Sequence, residues 1–378
     1  MNQLQSYQRD LYYNSLYTIY KCLVIVGIVS ILYMFFVQCC PRVMNRAAVV
    51  IGALALLAFT VTVLLYPSHI NSMTRYIVFA LALGLVLILI CTIVKYFPSW
   101  ALNGIFLDYA SKFLCVRLYA FVLPIVFLIL GAAFYFLQLL QYKAFWSFGE
   151  LRFDPSVDLY HHIKNPTKNI ILSIFQIIQI IWGTMFLKEA FNYLISAEAV
   201  KWYYGKGSAC GNGVFTLVCK HLGSVIACAF MNAFFGIADF VFDAIIPTFN
   251  DSNGCFYCIN RFAGFFDLAR SDALTMVYLS GNAFCNSARY CEYIANRSSD
   301  TSYSQSASRI YRFSAHFAIA GVVTLAAFWF FGLKNEVSIS AMGILLLISM
   351  GVATFFISIH ADAGEAILIL YLMEYEFF

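Results

Sequence analysis

AAVVIGALALLAFTVTVLLY, residues 47–66, runs through twenty positions without one charge. At about 1.5 Å of rise per residue, a helix of that length reaches about 30 Å, the thickness of a bilayer's hydrocarbon core. The pattern repeats on either side. Leu23–Phe36, Tyr76–Val94 and Phe121–Leu140 are apolar in the same way. Across the chain 62% of residues are hydrophobic and 11% charged, against about 25% charged in an ordinary soluble domain. The chain reads as a polytopic membrane protein.

With 378 residues and only loop-sized polar stretches at 141–169 and 251–270, a single transmembrane domain spans 1–378. The reading is an all-α bundle of about nine membrane helices. They fall near 17–40, 46–66, 75–97, 118–141, 169–196, 214–247, 272–295, 311–333 and 339–372. Four of them lie within 1–141, and 169–378 holds the rest. Pro41, Pro67 and Pro98 punctuate the first three, since proline cannot continue a helical hydrogen-bond ladder. The seventh segment carries Asn282, Asn286, Ser287, Arg289 and Glu292, so it packs against protein or lies partly in the interface rather than facing lipid. The last is long for one crossing and is expected to bend or reach water near His360-Ala-Asp362. Basic residues divide almost evenly between the two sets of loops, which leaves orientation open.

The net charge of +4 is small and its basic residues are scattered, so no nucleic-acid surface is implied. No phosphate-binding loop, nucleophile elbow or zinc-protease motif stands in a suitable context, which argues against an enzyme and names no catalytic residue or cofactor. Cys22, Cys91, Cys228 and Cys285 sit in apolar stretches, where a thiol behaves as a small hydrophobe. Cys255-Phe-Tyr-Cys258 has CxxC spacing without a second ligand pair; packing leads, ahead of a loop disulfide and then metal. His161-His162 lies in a polar loop without further ligands, so no metal site is assigned there.

Polar residues inside apolar helices carry the functional signal. Lys188 and Glu189 fall within the fifth helix and Glu198 near its end. Each charge at membrane depth costs about 2.5–3.5 kcal/mol on insertion scales, so it faces a cavity, a partner or the interface. Asp239 and Asp243 share one face of the sixth helix and form either a cation-attracting vestibule or a helix end at the headgroups. A quaternary ammonium needs aromatic faces more than hydrogen bonds. Trp182, Tyr193, Trp202 and Tyr278 are the candidates, with belt or packing roles as the alternative.

From the fifth helix onward the sequence resembles the choline transporter-like family. Trp182 followed by Ala197-Glu-Ala-Val200-Lys-Trp202-Tyr203 is similar to the family's Trp…Ala-Gly-x-x-x-Trp-Tyr pattern. Lys220-His221-Leu-Gly223-Ser224 is similar to its His-x-Gly-Ser motif. Gly281-Asn282-Ala-Phe284-Cys285-Asn-Ser287-Ala288 resembles its Gly-x-x-Phe-Cys-x-Ser-Ala signature, and Ile359–Glu376 resembles its final helix, with Glu365 at a usually acidic position. The specific match covers about 169–376. The resemblance implies transport of choline, and of ethanolamine, by alternating access with proton coupling. It implies a fold shortened by the family's first helix and large exoplasmic domain. It also implies an N-terminus outside, with Asn250-Asp-Ser252 exoplasmic and Asn296-Arg-Ser298 cytosolic.

Trp182, Tyr193, Trp202, Tyr278 and Asn282 are the expected substrate residues, and Glu189, Asp239 and Glu365 the expected coupling or cation-attracting ones. Partners are membrane lipids and the solute, with other membrane subunits or a second copy in an assembly reading. The location is the plasma membrane or an organelle membrane, the mitochondrial inner membrane included. Two departures matter. Glu198 stands where the family has glycine, and Lys188-Glu189 brings charge where it is mostly uncharged. They motivate the alternative, a transporter-derived structural subunit of a larger membrane assembly.

Overall fold

The structure is a computed structural model describing residues 2–65, scattered helical positions between 76 and 90, and 100–147, 150–153, 161–164, 167–205, 210–245, 272–296, 299–330 and 339–377. The described elements are α1 (Asn2–Cys39), α2 (Pro41–Leu65), α3 (Trp100–Val116), a 3-10 turn (Leu118–Val122) and α4 (Leu123–Ser147). Strands β1 (Glu150–Phe153) and β2 (His161–Lys164) form an antiparallel hairpin with Arg152 opposite His162. Then come α5 (Thr167–Tyr203), α6 (Cys210–Thr216), a π turn (Leu217–His221) and α7 (Leu222–Ile245). The chain continues with α8 (Ala273–Ser280), α9 (Phe284–Asn296), α10 (Ser299–Phe330) and α11 (Ile339–Phe377). It is an all-α bundle apart from that hairpin.

Local chemistry explains the joints. Pro41 opens α2 directly behind Cys40, at the first helical position, where its missing N–H costs nothing. The 3-10 turn stands just before Pro124, whose ring removes the hydrogen bond that would otherwise continue an α-helix there. Between α8 and α9 the chain breaks at Gly281, whose φ of 72° lies in the left-handed region. Its N–H still donates to the Val277 carbonyl at 3.0 Å, so glycine ends the helix at a conformation other residues resist.

The core gathers α3, α4, α5, α7, α8, α9 and α11 around Phe113, Phe191, Tyr193, Ile195, Leu274 and Phe356. Helix α5 is divided along its length. Between Ile171 and Trp182 most side chains face outward, whereas Glu189 to Lys201 are buried without interruption. Helices α2 and α10 approach most closely through small residues. A Cβ at Gly321 would meet that of Ala55 at 2.9 Å, and one at Gly52 would collide with the Ser314 carbonyl. Without a hydrophobic drive between helices in lipid, such close backbone contact supplies the association energy. Gly52→Val should therefore destabilise the bundle by at least about 1–3 kcal/mol through overpacking. Gly27→Ala, where nothing lies within 4 Å, is the control. Equal thermal midpoints for the two variants in detergent would contradict this packing.

Among the described residues seven helices are long and apolar enough to cross a membrane. The expected third helix, 75–97, lies largely outside the described residues. The expected seventh is two pieces, α8 and α9, rather than one helix. Helix α3 stands where a loop was expected; it is a 17-residue amphipathic helix burying Trp100, Phe106, Leu107, Phe113 and Leu114, while Asp108 pairs with Arg42 and Lys112 at 3.4 Å each. The eighth helix begins at Ser299 instead of 311. Most instructive is α11, which runs as one helix through His360-Ala-Asp362 and does not reach water there. Both residues are 1% exposed, and His360 Nε2 meets Gln38 Oε1 at 2.9 Å.

Candidate functional site

Helix α5 carries the deepest charge. Glu189 is fully buried and is reached from three directions. Asn232 Nδ2 on α7 donates to Oε1 at 3.0 Å, Asn192 Nδ2 one turn on approaches Oε2 at 3.4 Å, and Cys228 Sγ lies 3.7 Å from Oε2. Lys188 Nζ stands 3.4 Å away with a quarter of its side chain exposed. Positions 228 and 232 share one face of α7, and 189 and 192 share one face of α5, so helical spacing alone builds this pocket of donors. A carboxylate supplied with donors at membrane depth can hold its charge there and present it to a passing cation.

One turn along α5 the same face turns aromatic. The rings of Tyr193 and Tyr278 meet edge to face with centroids 5.9 Å apart, and His221 lies 5.8 Å from Tyr193. Tyr193 Oη also donates to Thr216 Oγ1 at 3.3 Å. His221 ends the π turn, an irregularity that re-aims side chains where a regular helix would not. Aromatic faces beside a buried carboxylate are the two elements a quaternary ammonium requires.

A second charged group joins α10 to α11. Arg312 Nη1 lies 2.6 Å from Asp362 Oδ1, its Nη2 contacts Glu365 Oε2, and Ser308 Oγ donates to Glu365 at 2.8 Å. His316, one turn beyond Arg312, places Nδ1 2.6 Å from the Arg312 carbonyl and Nε2 3.1 Å from Thr354 Oγ1.

The third group accounts for a departure from the family pattern. Glu198, 2% exposed, binds Lys201 Nζ at 2.7 Å and receives the Tyr119 hydroxyl. Facing it, Gly213 of α6 leaves room; a Cβ there would sit 3.7 Å from the carboxylate. The small residue stands on the partner helix, and Glu198 finds its counter-charge three residues away in its own chain.

Of the residues expected from sequence, the structure brings together Glu189, Tyr193 and Tyr278. Trp182 lies two turns out on the same face of α5, 38% exposed and edge-on to Phe230. Trp202 packs on Phe113 beside the Glu198 group. Asn282 is exposed at the α8–α9 break, its N–H donating to Ser280 Oγ at 3.2 Å. Glu365 belongs to the Arg312 group. The side chains of Asp239 and Asp243 lie outside the described residues, as do Cys255 and Cys258. Sequence reasoning missed Asn192, His221, Asn232, Arg312 and Asp362. His221 stands inside the Lys220–Ser224 motif, and Arg312, near the expected start of the eighth helix, reads from sequence as a cation at a helix end. No local signal tied Arg312 to Asp362, which lies on another helix.

Residues 76–376 match the sequence model of a family described as plasma-membrane choline transporter, a match that begins well ahead of the motifs at 169. No curated protein matches the chain. With this match over most of its length and seven membrane-capable helices, the chain is an integral membrane protein that belongs to the plasma-membrane choline transporter family.

Proposed function

We propose that this chain carries choline, or ethanolamine, across a membrane by alternating access, with proton movement coupled to the cation. The observation that carries the reading is the buried, donor-lined Glu189 one helical turn from the Tyr193–Tyr278–His221 aromatic group. The carboxylate offers the trimethylammonium its counter-charge and the rings offer the π faces that replace its hydration. Trp182, on the same face two turns away, is the aromatic surface the solute meets before or after that site. Glu365 and Arg312 lie on the same polar interior, and a carboxylate there exchanges a proton for the cation. The interruption at Gly281 supports alternating access, because broken helices beside a site are where transporters open and close.

The test is uptake of labelled choline by proteoliposomes holding only this chain, with and without a pH gradient. Saturable uptake that responds to the gradient is the expected result. No uptake by folded, correctly inserted protein would overturn the reading in favour of a structural subunit.

A further inference from the structure

Cys39 and Cys40 stand at the tip of a helical hairpin, away from the polar interior. The segments long and apolar enough to cross a membrane run Lys21–Cys39 and Pro41–Thr62, so the two thiols lie where one span stops and the next starts. Both are exposed. The joint is tight. The Cys40 N–H donates to the Phe36 carbonyl of α1 at 2.9 Å, and the Cys40 carbonyl accepts from the Met44 N–H of α2 at 2.9 Å. A third exposed thiol reaches the same end of the bundle from a distant part of the chain. Cys115 is one residue from the end of α3, just ahead of the Leu118–Tyr142 span. Gln38 Nε2 donates to its Sγ at 2.9 Å and to the Ser111 carbonyl at 2.7 Å, which fixes α3 beside the hairpin tip.

Packing does not account for these thiols. A buried cysteine serves as a small hydrophobe, as Cys22 and Cys228 do here, but an exposed one at a span end buries nothing. The flanking sequence supplies what an acyl chain would use. Phe35, Phe36, Val43, Val116 and Leu118 are exposed beside the thiols and offer apolar surface. Arg42, Arg46 and Lys112 are exposed at the same end, and Asp108 alone pairs with two of them. The positive excess draws anionic headgroups and phosphates to that surface.

We propose that Cys39, Cys40 and Cys115 are S-acylation sites, modified by a long-chain acyl-coenzyme A that a membrane acyltransferase delivers. The Sγ gives up its proton and attacks the thioester carbonyl. The new carbon–sulfur bond forms as the bond to coenzyme A breaks, and coenzyme A leaves as a thiol carrying that proton. Nothing is oxidised or reduced. The attached chains enter the adjoining leaflet and tie both the α1–α2 tip and the amphipathic α3 to it. Because acyl-coenzyme A is cytosolic, this end of the bundle faces the cytosol, one crossing from an N-terminus outside.

The test expresses the full chain in cultured eukaryotic cells. Free thiols are reduced and blocked with N-ethylmaleimide, thioesters are cleaved with hydroxylamine, and the thiols so released take a polymer-tagged maleimide that retards the band once per site. Retarded bands that require hydroxylamine are the expected result. Cys39→Ser with Cys40→Ser should remove the steps of that pair, and adding Cys115→Ser should remove all of them. Cys219→Ser is the control, since Cys219 is also exposed but lies inside the Gly213–Phe235 span, and it should leave the pattern unchanged. If the triple variant does not accumulate, each single substitution must remove one step. Fewer steps than three still support the assignment if the triple variant abolishes them. No hydroxylamine-dependent step overturns it, whether the thiols are free or joined as a disulfide. Steps that survive the triple variant overturn it too, as does a step lost with Cys219→Ser, because exposure alone would then explain the modification. Choline uptake is independent of every arm, so its failure bears on the transport reading alone.

Discussion

Glu189→Gln should lower choline uptake by about two to three orders of magnitude while leaving the protein folded. A carboxylate and an ammonium at about 4 Å attract by about 4 kcal/mol at an effective dielectric of about 20, and each 1.4 kcal/mol is about tenfold. The amide keeps the shape of the acid, and its one remaining oxygen can still accept from Asn232 on α7, so only the longer contact from Asn192 on α5 is lost. Lys188, partly exposed, can move its ammonium outward along its apolar stem. Uptake should therefore fall without a matching fall in thermal midpoint, and Asn232→Leu should reduce it less, since the charge remains. A variant that transports normally would remove Glu189 from the path. One that unfolds instead would make it a structural acid.

The second large effect belongs to the C-terminal end of α5. Lys201→Met strands Glu198, and removing one partner of a buried ion pair costs about 3–5 kcal/mol. The pair is 2% and 7% exposed, and the remaining Tyr119 hydroxyl can donate only one hydrogen bond to the abandoned charge. Glu198→Gly combined with Lys201→Met restores the glycine of the family pattern and removes both charges, so it should recover most of that loss. Thermal unfolding in detergent gives all three values. A Lys201→Met variant as stable as the unmodified chain would show that Glu198 draws its counter-charge from elsewhere, as an assembly subunit would.

Much of the bundle was legible because lipid imposes a single local rule. A spanning helix needs an uninterrupted apolar run, and the stretches around Leu23–Phe36, Ala47–Tyr66 and Phe121–Leu140 supply it within one window of sequence. Helix α3 was not legible for the same reason. Its 17 residues are too few for a crossing, and Asp108 and Lys112 on its outer face mark it as polar, although its opposite face is buried. Charge misled in a different way at Arg312 and Asp362. Counted one residue at a time, both look like signs of water; paired across α10 and α11 they are interior. The candidate site divides along the same line. Glu189 and Tyr193 are one helical turn apart and can be read together from α5, whereas Asn232, Tyr278 and His221 reach them only through the tertiary fold.

The break at Gly281 also bears on how the protein is made. Helix α8 has 8 residues and α9 has 13, while self-sufficient entry into a bilayer takes about 20 apolar ones. Neither half can leave the translocation machinery for lipid unaided, and α9 carries Arg289 and Glu292 besides. During synthesis α8 meets α5 and α7, which already exist, but α9 also packs on α10 and α11, which have yet to emerge. The halves of one segment thus reach their places at different moments. Until the C-terminal helices are finished, the nascent chain must keep α9 waiting at the membrane surface.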